Sequence, residues 1–257
     1  MPETPARFRK TGDATKIQMF EAEAAGLAAL RATGSVRVPD VHACAIVDGK
    51  AVIELEFLDL SGLDRASAAR LGRELADLHR HVGDRFGFDT DNFIGDSPQQ
   101  NGWEREWPRF FAERRLKPQL ARARERGMER RLAEAGESLA ERLSAFFLDY
   151  HPLPSLLHGD LWGGNASALP DGTPVIFDPA VYHGDREADI AMSELFGGFP
   201  ESFYAAYRAA WPLDAGFEVR KTLYNLYHVL NHYNLFGAGY LGQARRMIEK
   251  LSAELRG

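Results

Sequence analysis

The chain has 257 residues, 45% hydrophobic and 26% charged, with a net charge of −6; it can bury a large core as one or two domains, and its acidic balance gives no general pull toward nucleic acid or anionic membrane. The single cysteine, Cys44, excludes an internal disulfide and fits a reducing, cytoplasmic compartment. The start MPETPARFRK lacks the apolar core of a signal peptide, and no apolar run reaches the roughly 18 residues a membrane helix needs.

Ile17, Phe20, Ala24, Leu27 and Leu30 recur at helical spacing, which predicts a first helix over residues 17–32. After Pro39 the segment Val41 to Leu60 is rich in β-formers and broken by Asp48-Gly49, so it reads as a hairpin running into an extended VIELEFLDL stretch. From Ser67 onward, Leu71, Leu75, Leu78 and Val82 mark an amphipathic helix. Pro170-Asp171-Gly172 is turn chemistry ahead of an apolar strand over 174–178. Everything beyond residue 185 reads as helix, with breaks near Gly197-Gly198, Pro212 and 237–239. A small sheet with one helix followed by a larger helical part predicts an α+β, two-lobed outline of the protein-kinase type. The N-terminal lobe spans 1–60 and the C-terminal lobe 61–257.

The segment LLHGDLWGGN and the following TPVIFDPA carry the chemistry. His158, Asp160 and Asn165 fit H-x-D-x-x-x-x-N position for position, and Asp178 follows at the end of an apolar strand after a tight turn. Phosphoryl transfer needs a carboxylate to orient the attacking hydroxyl and oxygen ligands to hold Mg²⁺ on the ATP phosphates. Asp160 is the candidate base; Asn165 and Asp178 are the candidate metal ligands. Four residues in register with a hairpin between them argue against the plainer reading, in which Asp160 caps a turn and Asp178 merely ends a strand. Asp178 is followed by Pro179 rather than Phe-Gly, and no Ala-Pro-Glu follows, so a small-molecule acceptor is expected.

In this outline the nucleotide lies between the lobes. With Leu55 guarding the pocket, the Glu56 carbonyl and the Leu58 amide are the expected partners of the adenine edge. Lys10, ahead of the TGDAT turn, and Glu23, in the first helix, are the expected phosphate-positioning pair; a surface lysine and a solvated glutamate are the plain alternative.

Beyond these motifs, MFEAEAAGL, GFDTDNFIGDSPQQNGWEREWPRFFAERRL, PVIFDPAVYHGDREADIAMSELFGGF and LYNLYHVLNHYNLFGAGY together resemble the fructosamine kinases, or ketosamine-3-kinases, a branch of the aminoglycoside and choline kinase-like group. The resemblance runs from about Phe8 to Leu251. It implies an ATP- and Mg²⁺-dependent kinase acting on the 3-hydroxyl of small-molecule or protein-bound ketosamines, with Asp160 as base, Asn165 and Asp178 as metal ligands, and Lys10 and Glu23 as the ion pair. It also implies that Trp162 is a sugar-facing platform, since a flat indole suits the C–H face of a sugar. The stretch Asn101-Gly102-Trp103, with Trp107 four residues beyond Trp103, is a candidate for the far wall of the acceptor site, with core packing standing equally for the two tryptophans. Glu187, with Asp185 and Asp189, stands either to bind a substrate ammonium or to cap a helix and brace the catalytic loop.

The front of the chain departs from that family. Members carry two further strands and a glycine loop over the phosphates, whereas here only nine residues precede Lys10 and none is glycine. A late start or a protein working without that clamp is expected. Two other readings therefore stand beside the first: a kinase of the same fold for an aminoglycoside- or choline-like amine, and a nucleotide-binding module with little turnover. GAGYLG lacks the strand a dinucleotide loop requires. His228 and His232 lack the intervening glutamate of a zinc protease and read as packing groups. The basic segment 105–131 alternates sign and reads as a solvated helix face.

Overall fold

The computed structural model describes residues 6–256; residues 1–5, part of the stretch expected to offer no glycine loop, lie outside the described residues. β1 (Arg7–Asp13), β2 (Val41–Val47) and β3 (Lys50–Glu56) form an antiparallel sheet in the order β1-β3-β2. Asp48 and Gly49 make the β2–β3 turn at φ of 50° and 74°, the left-handed pair a two-residue hairpin demands. Between β1 and β2, α1 (Ile17–Ala32) packs on β2 and β3 through Phe20, Leu27 and Leu30. Register pairs Lys10 with Ile53, which aims its side chain at α1 and at the centre of the molecule.

The larger part begins with α2 (Arg65–His79), two residues ahead of the expected start, because Asp64 accepts from the Ala66 and Ser67 amides while Ser67 Oγ accepts from the Asp64 amide. A short hairpin, β4 (Asn92–Ile94) and β5 (Ser97–Gln99), precedes α3 (Trp107–Phe111), a π-turn over 112–116, α4 (Lys117–Glu125) and α5 (Arg130–Glu141). This basic segment is not one solvated face. Arg115 is fully buried, stacked 4.1 Å over the Tyr182 ring and bonded to Asn101, because the π-turn rotates it inward.

Two small antiparallel pairs frame the centre: β6 (Ser155–Leu157) with β9 (Tyr182–Gly184), and β7 (Ala166–Ala168) with β8 (Pro174–Ile176). The chain finishes in α6 (Glu187–Leu195), α7 (Glu201–Ala210), α8 (Phe217–Phe236) and α9 (Leu241–Glu254). A contiguous buried cluster runs from Leu27 and Ile53 through Leu75 and Leu157 to Leu230. No helix among the described residues is long and apolar enough to cross a membrane.

Candidate active site

The loop between β6 and β7 holds His158, Asp160, Trp162 and Asn165, and the β8–β9 connection holds Asp178. Antiparallel pairing of these strands brings both connections to one end. Burial holds the His158 imidazole below its usual pKa, so it is neutral: Nε2–H donates to the Phe177 carbonyl at 3.0 Å and Nδ1 accepts from the Asp160 amide at 3.2 Å. The histidine thus ties the catalytic loop to the Asp178 segment. Gly159, at φ +83°, passes so close to that segment that a Cβ would lie 2.0 Å from the Ala180 carbonyl oxygen. Only glycine fits there.

Asp189, buried at the start of α6, accepts from the amides of His158 (2.7 Å) and Gly159 (2.9 Å). His79 Nε2–H donates to it at 3.2 Å, and His79 Nδ1 accepts from Tyr207 at 2.8 Å. Burial would raise the Asp189 carboxyl, but His79, His158 and the Gly159 amide outweigh that and hold it below its usual value.

On this frame, Asn165 Nδ2 donates to the Asp160 carbonyl (2.9 Å) and carboxylate (3.3 Å) and to the Asp178 carbonyl (3.4 Å). Its Oδ1 is left as the acceptor end. Asp178 sits at φ +56°, a conformation that costs a non-glycine residue about 1–2 kcal/mol and that asparagine and aspartate tolerate best. Lys10 Nζ bonds Glu23 at 2.8 Å and also the Asp178 carboxylate, joining three segments far apart in sequence. Burial pulls the Lys10 ammonium down, yet Glu23 and Asp178 outweigh it and the net shift is upward. Glu23 is raised, chiefly by burial and against the pull of Lys10. Burial, then the charge of Asp189, pushes Asp160 up to about 7, against the Asn165 bond. A carboxyl poised there suits a base working near neutrality.

Two cavities meet at Lys10 and Asp178. One, of about 410 Å³, is mostly apolar and lies under Phe8, Pro39, Leu55, Phe57 and Leu60. Glu56, Phe57 and Leu58 line its wall, and among the described residues the Leu58 amide has no hydrogen-bond partner. The Glu56 side chain turns away to Arg37 and the Asp40 amide. The other cavity, of about 330 Å³, holds Asp160, Asn165, Trp162, Phe93 and Asp96. Trp162, 37% exposed, stands edge-on to Phe196 at 6.2 Å. Its indole lies over Gly164, where a Cβ would be 2.3 Å from the ring.

Two residues expected on the acceptor side do not reach either cavity. Glu187 is fully buried and paired with Arg220 at 2.8 and 3.1 Å. Asn101 is fully buried between Thr90 and Arg115. Of the nearby tryptophans, Trp107 stacks on Phe110 in the core and Trp103 lies under Arg85. Asp189 takes the bracing role that the sequence leaves open beside ammonium binding, but its partners His79 and Tyr207 went unread in sequence. So did Asn92 and Gln99, which bond the Val181 and Ala180 carbonyls and moor the β4–β5 hairpin to the Asp178 segment. No local pattern marks these residues, because each partner is brought from a distant element.

No group of three or more His, Cys, Asp or Glu side chains able to hold a metal occurs among the described residues. Asp178 and the Asn165 oxygen are a hard-oxygen pair, which fits Mg²⁺, an ion that takes few protein ligands and fills its shell from phosphates and water.

The family model described as "Fructosamine kinase" matches residues 3–254. A protein of Synechocystis named "Probable ketoamine kinase" is 45% identical over 249 residues, covering 95% of this chain and 82% of its own length. The chloroplastic protein-ribulosamine 3-kinase of Arabidopsis thaliana is 44% identical, covering 94% of this chain and 74% of its own. A solved structure of a candidate fructosamine-3-kinase from Haemophilus somnus superposes with a TM-score of 0.89 at 33% identity, covering 97% of this chain and 84% of that one. A choline kinase of Streptococcus pneumoniae shares the fold alone, with a TM-score of 0.57 at 15% identity over 98% of this chain and 87% of its own.

Proposed function

The chain belongs to the fructosamine kinase family, and on that premise we propose that it transfers the γ-phosphoryl group of ATP to the 3-hydroxyl of a ketosamine, with Mg²⁺ held by Asn165 and Asp178. It is a phosphotransferase with an alcohol group as acceptor. The observation that carries the reading is the junction at Lys10 and Asp178 of an apolar cavity and a carboxylate-lined one. Adenine suits the first, against the Leu58 amide; the second offers Asp160 to the acceptor hydroxyl.

Lys10, oriented by Glu23 and lining both cavities, would bond the phosphate oxygens of a nucleotide at that junction. Its present contact with Asp178 is one that a nucleotide phosphate and a cation would divide between them. Bound Mg²⁺ would neutralise charge building on the phosphoryl oxygens. Asp160, its carboxyl raised toward neutrality by burial, accepts the hydroxyl proton as the new P–O bond forms and the bond to ADP breaks. The Trp162 face beside it gives a sugar an apolar platform.

The test is ATP consumption by the purified protein with a fructosyl-amine, alongside an aminoglycoside and choline. A clear preference for the fructosyl-amine, lost in Asp160→Asn with folding intact and lost on chelation of divalent cations, is expected. Equal or better turnover of choline or an aminoglycoside refutes the acceptor assignment.

A further inference from the structure

The ketosamine reading leaves one requirement unmet. A ketosamine carries a secondary amine, cationic near neutral pH, and it must enter a cavity already holding the Lys10 ammonium. A buried or half-buried cation needs a counter-charge. Four carboxylates line that cavity: Glu23, Asp96, Asp160 and Asp178. Glu23 and Asp178 are taken by Lys10, and Asp160 must remain able to accept a proton. Asp96 is paired too, but with an exposed lysine outside the cavity lining rather than with Lys10.

Its position is a built one. Asp96 stands at the tip of the β4–β5 hairpin, next to Gly95 at φ +57°, whose backbone sits against Leu235 near the end of α8. The hairpin base is fixed by Asn92 on the Val181 carbonyl (2.8 Å) and by Gln99, which bonds Asn92 (2.8 Å) and accepts from Tyr227 (2.6 Å). The hairpin so moored places Asp96 in the lining of the cavity that Asp160 also lines. The Asp96 carboxylate is 66% exposed and meets Lys16, 43% exposed, at 3.0 Å. That pair joins the hairpin to the residues just before α1 at the edge where Asp96 lines the cavity, and an exposed pair of this kind is readily exchanged.

We infer that Asp96 is the acceptor-recognition carboxylate of this chain, receiving the substrate ammonium by exchange with Lys16. The inference rests on the ketosamine reading. Asp96 is a specificity residue, and Lys16 is its resident competitor.

The two variants should then act in opposite directions, which a purely structural bridge would not do. With a fructosyl-amine as probe, Asp96→Asn raises the acceptor KM about two- to fivefold, the worth of one exposed ion pair. Lys16→Met lowers it by up to about twofold, for the same reason. With the N-acetylated counterpart, which keeps the sugar but not the charge, neither variant changes KM. An equal rise in KM for both variants, or a rise that persists with the uncharged acceptor, overturns the inference and makes the pair a latch between hairpin and helix. An unchanged KM in Asp96→Asn overturns it as well, while wild-type turnover of the fructosyl-amine leaves the ketosamine reading standing. Failure of the wild type to use fructosyl-amines overturns both.

Discussion

Replacing Asp189 by asparagine keeps shape and volume but removes the acceptor on which the catalytic loop hangs. Three donors converge on its two oxygens: the His158 amide at 2.7 Å, the Gly159 amide at 2.9 Å and His79 Nε2–H at 3.2 Å. Asparagine offers one oxygen. Whichever way it turns, its own N–H₂ faces an N–H of the loop, leaving at least one buried donor unsatisfied at about 1–3 kcal/mol. The remaining bonds change from charge-assisted to neutral, a loss of about 1 kcal/mol each. The variant is spared the desolvation of a buried carboxylate, which offsets part of this, so a net loss of about 2–4 kcal/mol is expected. For a chain of 257 residues that corresponds to a fall in Tm of about 4–16 °C. Asp160 and Asn165 sit on the loop so released, and kcat should fall at least about tenfold. Urea unfolding followed by tryptophan fluorescence and kcat at saturating ATP and acceptor measure the two effects. A variant within about 0.5 kcal/mol of wild type and within twofold in kcat refutes the bracing role. The loop would then be held by the His158–Phe177 and Ala180–His158 bonds and by those of Asn165 to Phe177 and Asp178.

Gly159→Ala must move the Ala180 carbonyl away from a Cβ that would lie 2.0 Å from it, while forcing alanine to φ +83°; loss of soluble folded protein or of turnover is expected, checked by circular dichroism and ATP consumption. Lys10→Met should raise the KM for ATP and lower kcat/KM by about 10²-fold or more, because it removes the cation between Glu23 and Asp178; an unchanged KM for ATP would place the nucleotide elsewhere. Burial, then the neighbouring His232, holds His228 down at about 3. Its unfolded counterpart titrates near 6.5, so the unfolded state binds the extra proton between these values and stability falls as pH drops from about 6.5 toward 3, with roughly 2 kcal/mol lost by pH 5. His228→Gln should flatten that part of the stability–pH profile in urea titrations.

Much of the centre was legible because it is local. The distances from His158 to Asp160 and Asn165 are set by one short loop, and the turn at 170–172 returns the chain so that β8 delivers Asp178. The first helix and the β2–β3 hairpin were equally readable, since helical spacing and an Asp-Gly turn specify them without help from elsewhere. The segment 105–131 misled because charge alternation says nothing of a π-turn that buries Arg115. Asn101 misled for a related reason, and Glu187 was left between an ammonium site and a structural role: a carboxylate or amide near the motif looks the same in sequence whether it faces the cleft or, as here, a buried arginine.

Spacing along the chain prescribes the order of the candidate centre: a candidate base, an amide oxygen and a carboxylate at intervals that short backbone connections translate directly into proximity. What surrounds them is a matter of packing. The contact of Lys10 with Asp178, the Asp189 brace and the place of Asp96 in the lining of the Asp160 cavity each join elements distant in the chain. Such contacts depend on how α1, α6 and the β4–β5 hairpin pack against the centre, a global minimum that no single segment encodes.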